Sequence, residues 1–357
     1  MQTLKKAWFP ALLVLLIFIL PACGPGTDGT PGNTPQRTLR IITSTPQNTR
    51  TPTITPTPLV PVLANDELAG TQIDLWYLWV PGEPDTLGEI ANRFNAANDY
   101  GLTLIPRAFS QPDNFDDAVA DALASSNPPD ILLAHPYQYQ PWAEAGLLAD
   151  LTPYLESPTY GNTTFLEEMY PVFAERDLYN GQRWGFPGLF SGQVILYNQS
   201  WAQQMGFSNP PANADAFQLQ ACAASEANGG VTGGWMIDST QGGAAAWLLA
   251  FAGSLEKSGQ YRFEAGEVEA ALAFLAGLRE AGCAWQPGER YPDQDFIDRL
   301  GLFYSVSTRE ISYAAAAFDE ANSADQVTAI GYPNSAGESV MSVYGRSYVV
   351  VASTTEN

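Results

Sequence analysis

An alternation of apolar strands and amphipathic helices constrains the fold more than any other feature of the chain. Residues 73–80 (IDLWYLWV) are apolar on both alternating faces, as in a strand buried inside a parallel sheet. The Thr-x-x-Glu pattern at Thr86–Glu89 is typical of a capping box and predicts that a helix starts there. A strand at 102–105, a helix from Asp113 and a strand at 130–134 follow. This order predicts a doubly wound α/β fold.

A second unit is predicted beyond residue 197. Helical periodicity marks residues 214–227, 244–252 and 267–281, and apolar, strand-like runs mark residues 311–318, 327–332 and 348–352. The chain is therefore expected to contain two units of mixed helices and strands rather than one.

The N-terminus, residues 1–23, has the pattern of a signal peptide. Two lysines precede an apolar run at 11–20, which is too short to span a bilayer. The run ends in Leu-Pro-Ala-Cys-Gly, which resembles the bacterial lipobox and predicts lipidation of Cys23, although Pro21 is unusual in that pattern. The alternative is an ordinary cleaved signal peptide followed by an unrelated cysteine.

Residues 24–70 are predicted to be a disordered tether. Threonine and proline dominate residues 24–62, and such a composition cannot bury enough apolar surface to fold. In an extended polyproline-like state this stretch would reach on the order of 120 Å. We interpret it as a spacer between a membrane anchor and the folded part.

Charge and cysteine content exclude several classes of function. The chain has 38 acidic and 16 basic residues, which argues against nucleic acid or an anionic membrane surface as a partner. Outside the cytoplasm the two remaining cysteines, Cys222 and Cys283, are expected to pair. A single histidine and the absence of a Cys-x-x-Cys motif argue against a metal site, and no cofactor is predicted.

Sequence motifs for catalysis are missing, and aromatic residues follow the predicted strands instead. The chain has no Gly-x-Ser-x-Gly, His-Glu-x-x-His or phosphate-loop motif, whereas a pair of carboxylates for glycoside hydrolysis stays open. Trp79 ends the first strand, and His135 and Tyr137 follow the third. Ligands of open α/β sheets bind beyond these carboxyl ends, so the three side chains are candidates for ligand contact or, alternatively, for core packing.

Five segments in one order resemble the extracellular solute-binding family typified by maltose-binding protein. They are residues 129–134 (PDILLA), 142–151 (WAEAGLLADL), 181–187 (GQRWGFP), 194–198 (VILYN) and 344–350 (YGRSYVV). The resemblance extends from about residue 72 to the end of the chain. It implies a periplasmic-binding-protein-like fold with two lobes, about three crossings between them and a ligand cleft.

The resemblance also implies a partition of the chain and a set of cleft residues. The first lobe is expected to hold residues 71–197 and 306–343, and the second lobe residues 198–305 and 344–357. The expected ligand contacts are Trp79, Glu83, His135 and Tyr137 on the first lobe, Trp235, Asp238 and Gln241 on the second lobe, and Tyr344 and Arg346 near the hinge.

By this resemblance the protein is a non-enzymatic receptor that delivers a small solute, expected to be a sugar, to the permease subunits of an ABC transporter. A lipid would attach it to the outer face of the cell membrane or place it in the periplasm. The alternatives are a surface glycoside hydrolase and an adhesin. A second Ser/Thr-x-x-Glu pattern at 353–356 predicts a further helix beyond Asn357.

Overall fold

A computed structural model describes residues 60, 63–79, 85–159, 161, 163–258 and 260–352. The signal peptide, Cys23, most of the tether, Glu83 and the capping pattern at 353–356 lie outside these residues. Predictions that concern those parts of the chain therefore stay predictions.

The described residues form fifteen short or medium strands. They are β1 (Gln72–Leu78), β2 (Thr103–Phe109), β3 (Ile131–Ala134), β4 (Leu178–Tyr179), β5 (Gln182–Arg183), β6 (Phe186–Asn198), β7 (Gly233–Met236), β8 (Glu256–Lys257), β9 (Gln260–Tyr261), β10 (Ala284–Trp285), β11 (Gly301–Ser307), β12 (Val327–Ile330), β13 (Tyr332–Pro333), β14 (Ser339–Val340) and β15 (Ser342–Val350).

Thirteen helices alternate with these strands in the described part of the chain. They are α1 (Asn65–Leu68), α2 (Thr86–Ala97), α3 (Pro112–Leu123), α4 (Pro136–Glu144), α5 (Thr152–Leu155), α6 (Thr163–Glu167), α7 (Pro171–Ala174), α8 (Gln199–Gln204), α9 (Ala214–Ala227), α10 (Gln241–Ala252), α11 (Gly266–Glu280), α12 (Asp293–Ile297) and α13 (Ile311–Glu320).

One mixed sheet runs through both lobes, in the order β10-β7-β11-β6-β15-β3-β1-β2. In the first lobe β1 is parallel to β2 and β3, while β15 is antiparallel to β3 and to the first part of β6. In the second lobe β7 is parallel to β10 and β11, and both β11 and β12 are antiparallel to the last part of β6. The predicted α/β class is confirmed.

The strand pairings divide the chain differently from the predicted partition. Residues 306–343 were expected in the first lobe, but β12 pairs with the second-lobe part of β6, and Phe318 of α13 packs against Phe296 of α12. Residues 344–352 were expected in the second lobe, but β15 pairs with β3. Within the described residues the chain therefore crosses along β6 and returns along β15.

Two local predictions are corrected by the structure. Residues 311–318 (ISYAAAAF) were interpreted as a strand but form most of α13, because a run of alanines favours a helix. The cap of α2 is Asp85 rather than Thr86, since the Asp85 carboxylate accepts a hydrogen bond from the Gly88 amide at 3.0 Å. The helix nevertheless begins where the sequence predicted.

Separate apolar clusters stabilise the two lobes. In the first lobe Phe115 and Val119 of α3 pack against Leu132 of β3. In the second lobe Trp247 of α10 and Phe217 of α9 lie at the centre of an aromatic core. A disulfide joins Cys222 in α9 to Cys283 before β10, with Cα atoms 4.4 Å apart, and confirms the predicted pairing.

Candidate functional site

A cavity of about 1060 Å³ opens between the two lobes. Its walls are formed by segments that directly follow β3 and β7 and by the end of β11, together with parts of β6 and β15. The carboxyl ends of parallel strands meet at one edge of an α/β sheet, so the fold itself brings these segments together.

The segment after β3 contributes His135 and Tyr137, which lie at the start of α4. The Tyr137 ring stacks on the His135 ring, with centroids 5.3 Å apart, and its side chain is 72% exposed. The His135 amide donates to the Gln138 side chain at 2.8 Å, which fixes the first turn of the helix. An exposed aromatic face is thereby presented to the cavity.

Two hydrogen bonds hold the His135 ring in one tautomer. Its Nδ1 lies 2.8 Å from the Gly345 carbonyl oxygen, to which it can only donate, and its Nε2 accepts from Arg346 Nε at 3.2 Å. Burial lowers the pKa of His135, and the nearby charges of Arg346 and Arg176 lower it further. The imidazole is therefore neutral in the folded protein at neutral pH.

The segment after β7 contributes Asp238, Thr240 and Gln241. Asp238 Oδ1 accepts from the Thr240 amide at 2.8 Å, and Thr240 caps α10 by accepting from the Gly243 amide at 3.1 Å. Gln241 is the first residue of α10 and lines the cavity. The positive end of this helix therefore faces the cavity from the second lobe.

The end of β11 contributes Tyr304 and Ser307, and Arg309 and Glu310 follow it. Glu310 accepts a hydrogen bond from the Ser307 amide at 2.8 Å. Burial raises the pKa of Tyr304, and the neighbouring carboxylates of Asp293 and Glu310 raise it further, so its hydroxyl stays protonated. This wall offers hydroxyl, guanidinium and carboxylate groups side by side.

The crossing strands form the back of the cavity. Gln193 of β6 is 5% exposed, and its Nε2 donates to the Tyr344 hydroxyl of β15 at 3.4 Å. Arg176 donates to the carbonyl oxygen of Gly345 and lies 5.0 Å from the centre of the Phe190 ring. Burial lowers the pKa of Arg176, although Asp177 opposes that shift.

Five of the predicted ligand-contact residues line this cavity. They are His135, Tyr137, Asp238, Gln241 and Tyr344. The structure brings them together from both lobes and the crossing, and their contact with a solute stays a prediction.

Three other predicted contacts are not part of the cavity lining. Trp235 is 3% exposed and belongs to the apolar core of the second lobe. Its indole Nε1 donates a hydrogen bond to Ser305 Oγ at 3.0 Å. Trp79 packs against the apolar cluster around Tyr77, with ring centroids 6.1 Å apart. Arg346 lies behind the wall, where its Nη1 donates to the carbonyl oxygen of Leu78 at 2.8 Å.

Several lining residues were not predicted from the sequence. Gln193 had one usable signal, since it is a polar residue that directly precedes the apolar run VILY. Tyr261, Arg290 and Tyr291 lie in loops or a short hairpin, and no periodicity marks them. Arg176 follows a short helix, and only the tertiary structure places it beside β15.

The described part of the chain lacks a membrane-spanning helix and a cluster of metal ligands. None of its helices combines the length and apolarity that crossing a bilayer requires. Its His, Cys, Asp and Glu side chains form no group of three or more that could hold a metal ion.

Comparison with known proteins gives matches to one family and to several solved structures. The family described as bacterial extracellular solute-binding protein matches residues 89–357. The sugar-binding protein MalE from Xanthomonas citri has a TM-score of 0.67 at 15% identity, over 80% of this chain and 72% of that one. The cyclic α-maltosyl-1,6-maltose binding protein from Arthrobacter globiformis has a TM-score of 0.64 at 16% identity, over 80% and 71%.

A third solved structure has a different kind of ligand. UgpB from Mycobacterium tuberculosis, in complex with glycerophosphocholine, has a TM-score of 0.63 at 18% identity, over 81% of this chain and 74% of that one. At such identities the similarity concerns the fold, which is the two-lobed α/β architecture described above.

Proposed function

Because this chain belongs to the bacterial extracellular solute-binding protein family, we propose that it is a receptor that captures a carbohydrate and delivers it to an ABC-type permease. The observation that carries this proposal is the cavity of about 1060 Å³ between the lobes, which presents tyrosine faces and polar side chains together. Such a combination is typical of small-molecule sites with a few convergent polar groups.

Four exposed tyrosines supply apolar surface to the cavity. Tyr137 and Tyr344 come from the first lobe and its crossing strand, and Tyr261 and Tyr291 come from the second lobe. All four are exposed. A pyranose ring has apolar C–H faces that pack on aromatic rings, while its hydroxyls need hydrogen-bond partners, so a sugar fits both features.

The polar lining suits the hydroxyl groups of a sugar. Gln193 and Gln241 carry both donors and acceptors, and Asp238 and Glu310 are acceptors on the second-lobe wall. Among the structural relatives, those from Xanthomonas citri and Arthrobacter globiformis are described as sugar-binding, which supports the same ligand class here.

Closure of the lobes would follow from where the lining residues lie. A solute that contacts Tyr137 on one lobe and Gln241 on the other makes both contacts only when the lobes are close. It therefore favours the closed state by its difference in affinity for the two states. No covalent step is part of this proposal.

The proposed cellular position follows from the N-terminal sequence. Removal of residues 1–22 would leave Cys23 lipidated at the outer face of the cell membrane, with the tether at 24–70 spacing the receptor from it. Metabolic labelling with a clickable fatty acid should label the wild-type chain and leave a Cys23→Ala variant unlabelled.

The proposed binding function is tested by calorimetric titration of the full-length chain in detergent with a panel of mono- and oligosaccharides. We expect saturable binding of at least one sugar, with no new product detected by chromatography. A Tyr137→Ala variant should bind that sugar about tenfold or more weakly, because stacking on an aromatic ring is lost.

The matched control is Tyr100→Ala, which removes an exposed tyrosine outside the cavity lining and should leave the affinity unchanged. Release of product would instead identify a hydrolase. Absence of binding to every sugar would overturn the carbohydrate proposal.

A further inference from the structure

Resting on the proposed carbohydrate receptor, we propose that its solute carries a negatively charged group, a carboxylate or a phosphate, which arginines of the cavity wall recognise. Arg176, Arg290 and Arg309 line the cavity from both lobes. Guanidinium groups bind both anions through paired N–H donors, so the two chemistries share one site.

The charge of the cavity wall is opposite to that of the chain. The whole sequence has 38 acidic and 16 basic residues, a formal net charge of −22. Among the described residues, the wall nevertheless contains three arginines and only two carboxylates, Asp238 and Glu310. An anionic solute approaching an acidic protein needs such a locally positive surface in order to bind.

Both lining carboxylates are already engaged within their own loops. Asp238 accepts from the Thr240 amide and Glu310 accepts from the Ser307 amide, each at 2.8 Å. In the described part of the chain neither Arg176 nor Arg290 forms an ion pair, since the ion pairs there join Arg262 to Glu267 and Arg299 to Asp325. Arg290, which is exposed, is therefore available to an anion from solution, while Arg176 already donates to the carbonyl oxygen of Gly345.

Additional positive charge is concentrated around the same wall. Arg346 lies directly behind His135, and its pKa is lowered by burial and, beyond that, by the charge of Arg309. The N-termini of α4 and α10, which are 9 and 12 residues long, also face the cavity from opposite lobes. Each helix N-terminus adds a partial positive charge to the arginines.

The carboxylate of Asp177, next to Arg176 in the sequence, is buried inside the protein and does not face the cavity. Asp177 is 2% exposed and accepts from the Tyr139 hydroxyl at 2.6 Å and from Ser347 Oγ at 2.8 Å. It is not part of the cavity lining. A neutral sugar would leave the cavity side of this positive wall without a counter-charge, whereas an anionic sugar would provide one.

The test compares sugars that differ only in charge, by calorimetric titration of the full-length chain in detergent. One pair is an oligogalacturonate and its carboxyl-reduced, neutral analogue, and the other is maltose 6′-phosphate and maltose. We expect the charged member of at least one pair to bind at least about tenfold more tightly. That preference should shrink as NaCl is raised from about 0.05 to about 0.5 M.

Arg290→Gln should abolish most of this preference, measured as the ratio of the affinities for the charged and the neutral member of the pair. Arg290 is exposed, so the variant is expected to fold, and a thermal melt verifies this. Arg279→Gln is the matched control, because Arg279 is an exposed arginine in the last turn of α11 and does not line the cavity.

Each outcome decides one of the two proposals. A preference in the oligogalacturonate pair would indicate a carboxylate, and a preference in the maltose pair would indicate a phosphate. Equal or tighter binding of the neutral members would overturn the anionic inference and leave the carbohydrate receptor standing. Failure of all four sugars, together with failure of the wider panel, would overturn the carbohydrate receptor itself.

Discussion

Two aromatic residues that sequence reasoning treated alike, Tyr137 and Trp235, have opposite roles in the structure. Tyr137 is exposed and stacks on His135 at the cavity. Trp235 has its ring centroid 5.5 Å from that of Trp247 and is almost completely buried. Tyr137 follows β3 and Trp235 lies in β7, so their positions in sequence are similar. Only the packing around each side chain distinguishes the binding residue from the core residue.

Truncation of Trp235 should therefore affect folding rather than binding. We expect Trp235→Ala to lower the free energy of unfolding by about 3–5 kcal/mol, because a buried ring and its packing are lost. Urea denaturation measures this change, with Tyr344→Ala as the comparison that should affect binding more than stability. A Trp235→Ala variant of normal stability and weakened affinity would contradict the core assignment.

His135 should give the protein a pH-dependent stability. Its folded-state pKa is lowered from the ordinary value of 6.5, chiefly by burial, so the unfolded chain binds the proton more readily. Stability is then fully present above about pH 6.5 and decreases as the pH falls below that value. Asp150 and Asp325, whose pKa values are lowered from 3.8, act only at more acidic pH.

The measurement is the melting temperature between about pH 7.5 and 5 for the wild-type chain and for His135→Gln. His135 is the only histidine of the chain, so its removal should flatten the decrease in this range. If the melting temperature of the variant decreased with falling pH as steeply as that of the wild type, other titrating groups would be responsible for the decrease.

At the scale of elements, the second lobe is held by the covalent link between α9 and the segment before β10. Cys222 and Cys283 are 61 residues apart in sequence. The backbone of Gly234 in β7 packs tightly against the same segment, since a Cβ at Gly234 would lie 1.9 Å from the Cys283 carbonyl oxygen. The disulfide and the close packing of β7 thus hold α9, β7 and the segment before β10 together.

Reduction of this disulfide should destabilise the protein by about 4 kcal/mol, because the unfolded chain gains the entropy of an open 61-residue loop. Urea denaturation with and without a reducing agent measures the loss. The double variant Cys222→Ala/Cys283→Ala is the control, and its stability should not respond to the reducing agent. A wild-type stability that is insensitive to complete reduction would disprove the prediction.

At the scale of the whole molecule, the lobes are connected where β6 and β15 lie side by side. Their pairing has a register shift between Arg346 and Ser347. Just before it, the carbonyl oxygen of Gly345 accepts hydrogen bonds from both His135 and Arg176. The crossing therefore ties the back of the cavity to the first-lobe wall.

A side chain at Gly345 should disturb this connection. An added Cβ would lie 2.1 Å from the Leu189 carbonyl oxygen, so the backbone of one strand would have to move. We expect Gly345→Ala to destabilise the protein by about 1–3 kcal/mol, as measured by thermal or urea unfolding.

Gly277→Ala is the matched substitution for comparison. Gly277 lies inside α11, and nothing lies within 4 Å of its added Cβ. This change should stabilise by about 0.5–1 kcal/mol, since alanine is the better helix former. Equal effects of the two substitutions would show that the crossing tolerates a side chain.

The sequence by itself determined the class of the fold, the order of the first strands and helices, and the pairing of the cysteines. Periodicity located β1, α2 and α9 closely, because each has an apolar face that reflects its own local geometry. Strand ends also pointed to His135 and Tyr137, since the carboxyl edge of a parallel sheet is a consequence of local order.

Tertiary structure alone decided which lobe each late segment joins and which aromatic residues face the cavity. The strand β12 packs with the second lobe because it pairs with the last part of β6, a contact across more than 100 residues that no local pattern encodes. Burial of Trp235 and exposure of Arg290 have the same cause. Whether a side chain meets solvent depends on what packs over it, and that is set by distant parts of the chain.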